Sequence, residues 1–217
     1  MPNRLPLRCP APNTMDPEAQ VHLVDDEAAV RDALAFLFHS HGLPVRAYAS
    51  GPELLDAWAA GPLRGCLLLD VRMEPMSGLQ LHDELLARGL ALPVLFLSGH
   101  GDIPMAVEAL HKGAFDFIEK PFGDEALVQR VQRALLAEAA QHEARSDEER
   151  HALRLASVTE REREVMLRVA AGKLNKVIAD ELAIAVRTVE VHRARVFSKL
   201  GVRSAAELAT VLARPRV

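Results

Sequence analysis

The stretch "CLLLDVRMEPMSG", Cys66–Gly78, decides how the first half of the chain is read. Three consecutive leucines follow a cysteine, and the apolar run ends abruptly on Asp70. A short, continuously apolar run closed by turn residues predicts a strand buried on both faces. Such strands belong to parallel sheets covered by helices, and ligands bind at their carboxyl ends. Asp70 therefore sits where chemistry is expected. Cys66 at the start of the strand reads as a small core residue. With Cys9 far away in an unlike setting, the pair suggests neither a disulfide framework nor a zinc site, which fits a reducing compartment.

The flanking segments repeat the pattern. "VHLV" ends in Asp25-Asp26, "VRAYAS" and "PVLFLSG" read as strands, and "FDFIEKP" is a short last one. Between them, "EAAVRDALAFLFHSHG" places Val30, Leu34, Leu37 and Phe38 on one helical face and stops at Gly42. "GPELLDAWAAG" has Pro52 at a helix start and Gly61 at its end. Ser77 and Asp102 are N-cap candidates for the next two helices. "GDEALVQRVQRALL" opens a fifth helix that becomes wholly polar through Arg150. Five strands alternating with five helices predict an α/β fold, a doubly wound five-stranded parallel sheet of flavodoxin type.

The second half changes period. "TEREREVMLRVAAGK", "NKVIADELA", "VRTVEVHRARVFSKLG" and "SAAELATVLAR" each read as a short helix, punctuated by Gly172 and Gly201. The expected organisation is a disordered Pro-rich leader over 1–18, an α/β domain over 19–136, a helical linker over 137–152 and a small all-α domain over 153–217. Met1 and Met15 are both possible starts. No apolar run is long enough to span a membrane, and the leader lacks a signal peptide's apolar core, so a cytoplasmic protein is expected. Charge divides the same way. Residues 151–217 carry 13 Lys and Arg against 7 Asp and Glu, and the remainder 13 against 23. Only the second half is suited to a polyanion.

Three strand ends bring Asp25-Asp26, Asp70 and Lys120-Pro121 to one sheet edge, and a fourth brings Ser98. Converging carboxylates need a cation, and oxygen ligands suit Mg²⁺. An aspartate nucleophile beside a divalent cation, a lysine and a hydroxyl suits phosphoryl acceptance. Taken singly, each residue has a plainer role: a cap, a turn residue, a loop hydroxyl, a core ring, a surface lysine. Their joint placement at strand ends favours a site. An aspartyl phosphatase of the haloacid dehalogenase type would need a second aspartate two residues after the nucleophile, and that position is Arg72.

The segments "HLVDDE", "LLLDVRM" with "MSGL", "LPVLFLSGHGD" and "MAVEALHKGAFDFIEKPF" resemble the receiver domain of bacterial two-component response regulators, in the FixJ-like branch of the NarL/FixJ family. The resemblance implies that Asp70 is the phosphoacceptor. It implies that Asp25, Asp26, Asp70 and the Arg72 backbone carbonyl hold Mg²⁺, directly or through water. Ser98 would be the switch hydroxyl, Phe117 the switch aromatic and Lys120 the phosphoryl contact, with a cis bond to Pro121. Proline usually stands four residues after the acceptor in this family. Here Glu74 does, and Pro75 follows, so the loop is expected to bend one residue later, with Glu74 in solvent or, as the alternative, leaning over the site mouth and altering metal affinity or acyl-phosphate lifetime.

In the second half, Val189, His192, Val196 and Leu200 recur at helical spacing and are expected to face a core, with Ile178, Leu182 and Ile184 opposite. Arg187, Glu190, Val191, Ala194, Arg195 and Ser198 then face outward, towards a groove. The run from Thr159 to Leu208 resembles the LuxR-type helix-turn-helix of the same family. The residues expected at DNA are Asn175, Lys176, Arg187, Thr188, Glu190, Val191, Arg193, Ala194, Arg195 and Lys199. A serine that usually caps the recognition helix is Ala185 here. Glu190 is expected either to accept from cytosine N4 or to pair with a nearby arginine. The reading is a transcription factor phosphorylated by a sensor histidine kinase, dimerising when phosphorylated and gripping two promoter half-sites. The alternative is a partner-binding or phosphate-sink module without direct transcriptional control.

Overall fold

The computed structural model describes residues 18–99 and 103–213, with the side chain of residue 103 left aside. The chain divides into two compact units, Met1–His142 and Glu143–Val217. The leader read over 1–18, Cys9 and the Asp102 cap lie wholly or almost wholly outside the described residues.

The first unit is the expected parallel sheet. Its strands are β1 (Gln20–Val24), β2 (Val45–Tyr48), β3 (Gly65–Asp70), β4 (Val94–Ser98) and β5 (Asp116–Glu119), in the order β2-β1-β3-β4-β5. The helices between them are α1 (Ala28–Ser40), α2 (Gly51–Ala60), α3 (Gly78–Ala87) and α4 (Ile103–His111), followed by α5 (Asp124–Ala156).

All six residues of β3 are buried, because helices cover both faces. Alternation divides them. Cys66 and Leu68 join one core with Phe38 of α1 and Val131 of α5, while Leu67 and Leu69 join another with Leu54 of α2 and Leu81 of α3. Burial also pushes the Cys66 thiol well above its usual pKa, so it is an inert core group. The strand starts on Gly65 at φ +111°, where a Cβ would lie 2.0 Å from the Gln20 carbonyl oxygen. Only glycine lets β1 and β3 begin side by side.

The segment read as a helical linker is part of α5. α5 runs unbroken through it, and Glu138, inside the 137–152 segment, is buried and paired with Arg64 at 2.6 Å. The packing of the first unit therefore continues beyond residue 136. A buried ion pair at the start of that segment reads as polar sequence.

The second unit contains α6 (Glu160–Ala170), α7 (Asn175–Leu182), α8 (Val186–Leu200) and α9 (Ala205–Leu212). Val165, Met166, Val169, Ile178, Val189, Val196, Leu200 and Leu208 form its core. α6 opens with a capping box between Thr159 and Glu162. Among the described residues, no helix is long and apolar enough to cross a membrane.

Candidate functional site

The site forms at the carboxyl edge of the sheet, where β3 leads into α3. Asp70 is the last residue of β3 and is 7% exposed. Both of its oxygens are fixed: Oδ1 accepts from Lys120 Nζ at 2.7 Å and Oδ2 from the Arg72 N–H at 2.7 Å. The chain then folds back, and Gly78 N–H donates to the Val71 carbonyl. A Cβ on Gly78 would lie 2.1 Å from the Asp70 carbonyl oxygen. The capping box between Ser77 and Gln80 holds this start of α3 against the acceptor. The sequence reading gave Gly78 no role. The signal was its place directly after an N-cap serine, where a glycine has no helix-forming reason to be.

Asp25 follows β1 and is 1% exposed. Its Oδ1 accepts from the Glu27 N–H at 2.9 Å, while Oδ2 lies 3.5 Å from Lys120 Nζ and, among the described residues, has no hydrogen bond. Burial raises the Asp25 carboxyl above the usual aspartate range, opposed by the Glu27 N–H and the Lys120 charge. Burial draws the Lys120 ammonium down, but its bond to Asp70 and the charges of Asp70 and Asp25 outweigh this and hold it high. Lys120 is therefore a fixed cation. It follows β5, its bond to Pro121 is cis as expected, and its N–H donates to the Ser98 carbonyl at 2.7 Å. The bond between Glu74 and Pro75 is also cis, and Glu74 is exposed as expected.

Ser98 ends β4, is buried, and lies on the strand next to Asp70, whose register partner is Leu97. Phe117 pairs with Phe96 across β4 and β5, their rings 6.1 Å apart. Thus Asp25, Asp70, Lys120, Ser98 and Phe117 all lie on β1, β3, β4 and β5 or just past their ends.

Of the three expected carboxylates, Asp25 and Asp70 share Lys120. Asp26 is exposed, and among the described residues no three acidic, histidine or cysteine side chains gather as a metal site. Asp25 is turned inward by the Glu27 N–H, which leaves its neighbour on the outer side of the turn. The remaining set still fits a hard cation. Two carboxylates against one ammonium leave a net negative charge, and a buried carboxylate oxygen lacks a hydrogen bond. Mg²⁺ is commonly held by one or two carboxylates, with waters completing the shell.

In the second unit, α8 presents two sides. Val189, Val196 and Leu200 are buried, while Arg187, Glu190, Val191, Ala194, Arg195 and Ser198 are exposed, as the helical spacing predicted. His192 is half-buried, with its Nδ1 covered and unpaired. Arg193 stacks over the Phe197 ring at 5.1 Å and donates to Asn175 Oδ1 at 3.2 Å, so two expected DNA contacts are paired with each other across the turn between α7 and α8. Lys199 has partners within its own unit. Its ammonium donates to Glu162 Oε2 at 2.6 Å and the Ser157 carbonyl at 2.7 Å, so it serves the packing of the unit. Among the described residues, Lys176 and Arg195 pair with no carboxylate. Ala185 is the N-cap of α8 and provides no side-chain bond; its carbonyl accepts from the Thr188 and Val189 N–H groups.

Both units match known protein families. Residues 21–132 match the response regulator receiver domain family, and 156–212 match the luxR family of bacterial regulatory proteins. The C4-dicarboxylate transport transcriptional regulatory protein DctR of Rhodobacter capsulatus is 51% identical over 191 residues, 87% of this chain and 96% of the relative. The transcriptional regulatory protein FixJ of Azorhizobium caulinodans is 46% identical over 87% of this chain and 89% of its own length. The solved structure of response regulator StyR superposes with a TM-score of 0.84 at 37% identity, covering 90% of this chain and 98% of that one.

Proposed function

The chain belongs to the response regulators that join a receiver domain to a LuxR-type DNA-binding domain, and we propose that Asp70 is the residue through which it is switched. Its relatives are transcriptional regulatory proteins of two-component systems. The domain pair implies a histidine kinase as partner and DNA as target. The observation that carries the assignment of Asp70 is its carboxylate, held at a buried strand end by the Lys120 ammonium on one oxygen and the Arg72 N–H on the other.

In the proposed reaction, an Asp70 oxygen attacks the phosphorus of the kinase's phosphohistidine. The P–O bond forms, the P–N bond breaks, and its electron pair stays on the imidazole. Lys120 orients the nucleophile beforehand and neutralises charge developing on the phosphoryl oxygens. Asp25, Asp70 and the Arg72 carbonyl would hold Mg²⁺, with Asp26 acting at most through water. When bound, the cation supplies further charge neutralisation at the phosphoryl group. Ser98 then donates to a phosphoryl oxygen, and Phe117 follows it inward, repacking the surface of α4 and β5. That surface favours a dimer, so that two α8 helices meet two half-sites.

At DNA, α8 enters the major groove through Arg187, Glu190, Val191, Ala194 and Arg195. Lys176 and the start of α7 meet phosphates. Thr188 borders the same contact, while Asn175 and Arg193 hold the two helices in register. The site of action is the cytoplasm, where kinase output and promoter DNA are both present.

The test is DNA affinity before and after acetyl phosphate with Mg²⁺, for wild type and Asp70→Asn. Wild-type affinity for its promoter should rise about tenfold or more, about 1.4 kcal/mol, and that of the variant should stay fixed. An equal rise in the variant would refute Asp70 as the switch.

A further inference from the structure

One residue on the outward side of α8 has the wrong charge for a partner made of phosphates. Glu190 stands among Arg187, Val191, Ala194, Arg195 and Ser198, all exposed. Its carboxylate lies 3.4 Å from Arg187 Nη1, with the two side chains 47% and 87% exposed. A pair that long and that open adds little to stability. Among the described residues, Glu190 caps no helix, and its ion pair is with the exposed Arg187. It stands in the second turn of α8, and in helix-turn-helix proteins the early residues of the recognition helix meet base edges.

A carboxylate only accepts hydrogen bonds. The major groove offers two base donors, cytosine N4 and adenine N6. The adenine amine lies between two acceptors, N7 of its own ring and O4 of the paired thymine, and both repel a carboxylate. The cytosine amine has acceptors only on its guanine side, and its other flank is a C–H edge. Arg187 beside Glu190 offsets the field of the neighbouring phosphates and keeps further donors of its guanidinium for them. Resting on the reading of α8 as the recognition helix, we propose that Glu190 is a specificity-determining residue that selects a cytosine by accepting from its N4 amine.

The test is selection of a binding site from randomised duplex DNA by the full-length protein, treated with acetyl phosphate and Mg²⁺. Wild type should enrich a cytosine at one position of each half-site. Glu190→Ala should keep the rest of the sequence and lose that preference, by about tenfold. Glu190→Gln should move the preference at that position to adenine, since an amide both donates to N7 and accepts from N6. Identical selected sequences for wild type and Glu190→Ala would overturn the role of Glu190 and leave α8 in the groove. No enriched sequence for wild type would overturn the groove reading and the Glu190 role together.

Discussion

Gly78 and Asp70 form one unit at the scale of the residue, because the start of α3 rests on the acceptor's own carbonyl. A methyl group at position 78 has 2.1 Å in which to fit against backbone, so either α3 or the end of β3 must shift. Gly78→Ala is expected to destabilise the receiver by about 1–3 kcal/mol, read as a fall in the urea midpoint. It should also slow labelling by acetyl phosphate more than this loss of stability explains, since Asp70 itself is displaced. Lys120→Met tests a different term. It removes the cation that Asp25 and Asp70 share and leaves both acids at the sheet edge. Labelling should fall at least tenfold, about 1.4 kcal/mol of transition-state stabilisation, in a single-turnover time course. The strand-end placement of Asp70 and Ser98 was legible because each ends an apolar run, and that of Lys120 because it follows the last short strand. The exposure of Asp26 beside a buried Asp25, and the pairing of Lys199 with Glu162, were not legible. Neighbours in sequence point to opposite sides of a turn, and a basic residue on a basic helix shows nothing of its distant partner.

The helices of the second unit carry two local defects that should yield to single substitutions. Ala183, after α7, has φ 52° and ψ 48°, a left-handed conformation that costs an L side chain about 1–2 kcal/mol. Ala183→Gly should stabilise the unit by about 1 kcal/mol or less, after the entropy that glycine adds to the unfolded chain. Ala185 leaves the first N–H groups of α8 without a side-chain partner, and Ala185→Ser should contribute about 1 kcal/mol. Thermal unfolding followed by far-ultraviolet circular dichroism reads both. A capping element also sets a pH dependence. The Lys199 bond and the Thr159 N–H hold Glu162 from its ordinary value of 4.5 down to about 2. The stability this supplies is complete above pH 4.5 and is lost as pH falls towards 2. Glu162→Gln should flatten that slope in the urea midpoint. The helices themselves were legible from periodicity and glycine punctuation. The burial of Glu138 on α5 was not, because its partner Arg64 lies far away in sequence.

For the whole molecule, the division of charge between an acidic receiver and a basic helical unit confines phosphate contacts to the second. DNA affinity should fall linearly with the logarithm of salt concentration, with a slope of about −0.9 for each phosphate neutralised. Lys176→Ala should reduce that slope by about one per chain, whatever the DNA sequence, and a slope unchanged by the substitution would remove Lys176 from the phosphates. Phosphorylation is expected to raise the sedimentation coefficient of the wild type to that of a dimer and to leave Asp70→Asn where it was. Both effects depend on one covalent event at one carboxylate. The most direct measurement of it is the mass of the intact protein after incubation with acetyl phosphate and Mg²⁺. Wild type should gain one phosphoryl group that hydroxylamine removes, as expected of an acyl phosphate, and Asp70→Asn should gain none. Equal gain by both proteins would place the phosphoryl group elsewhere and contradict the account.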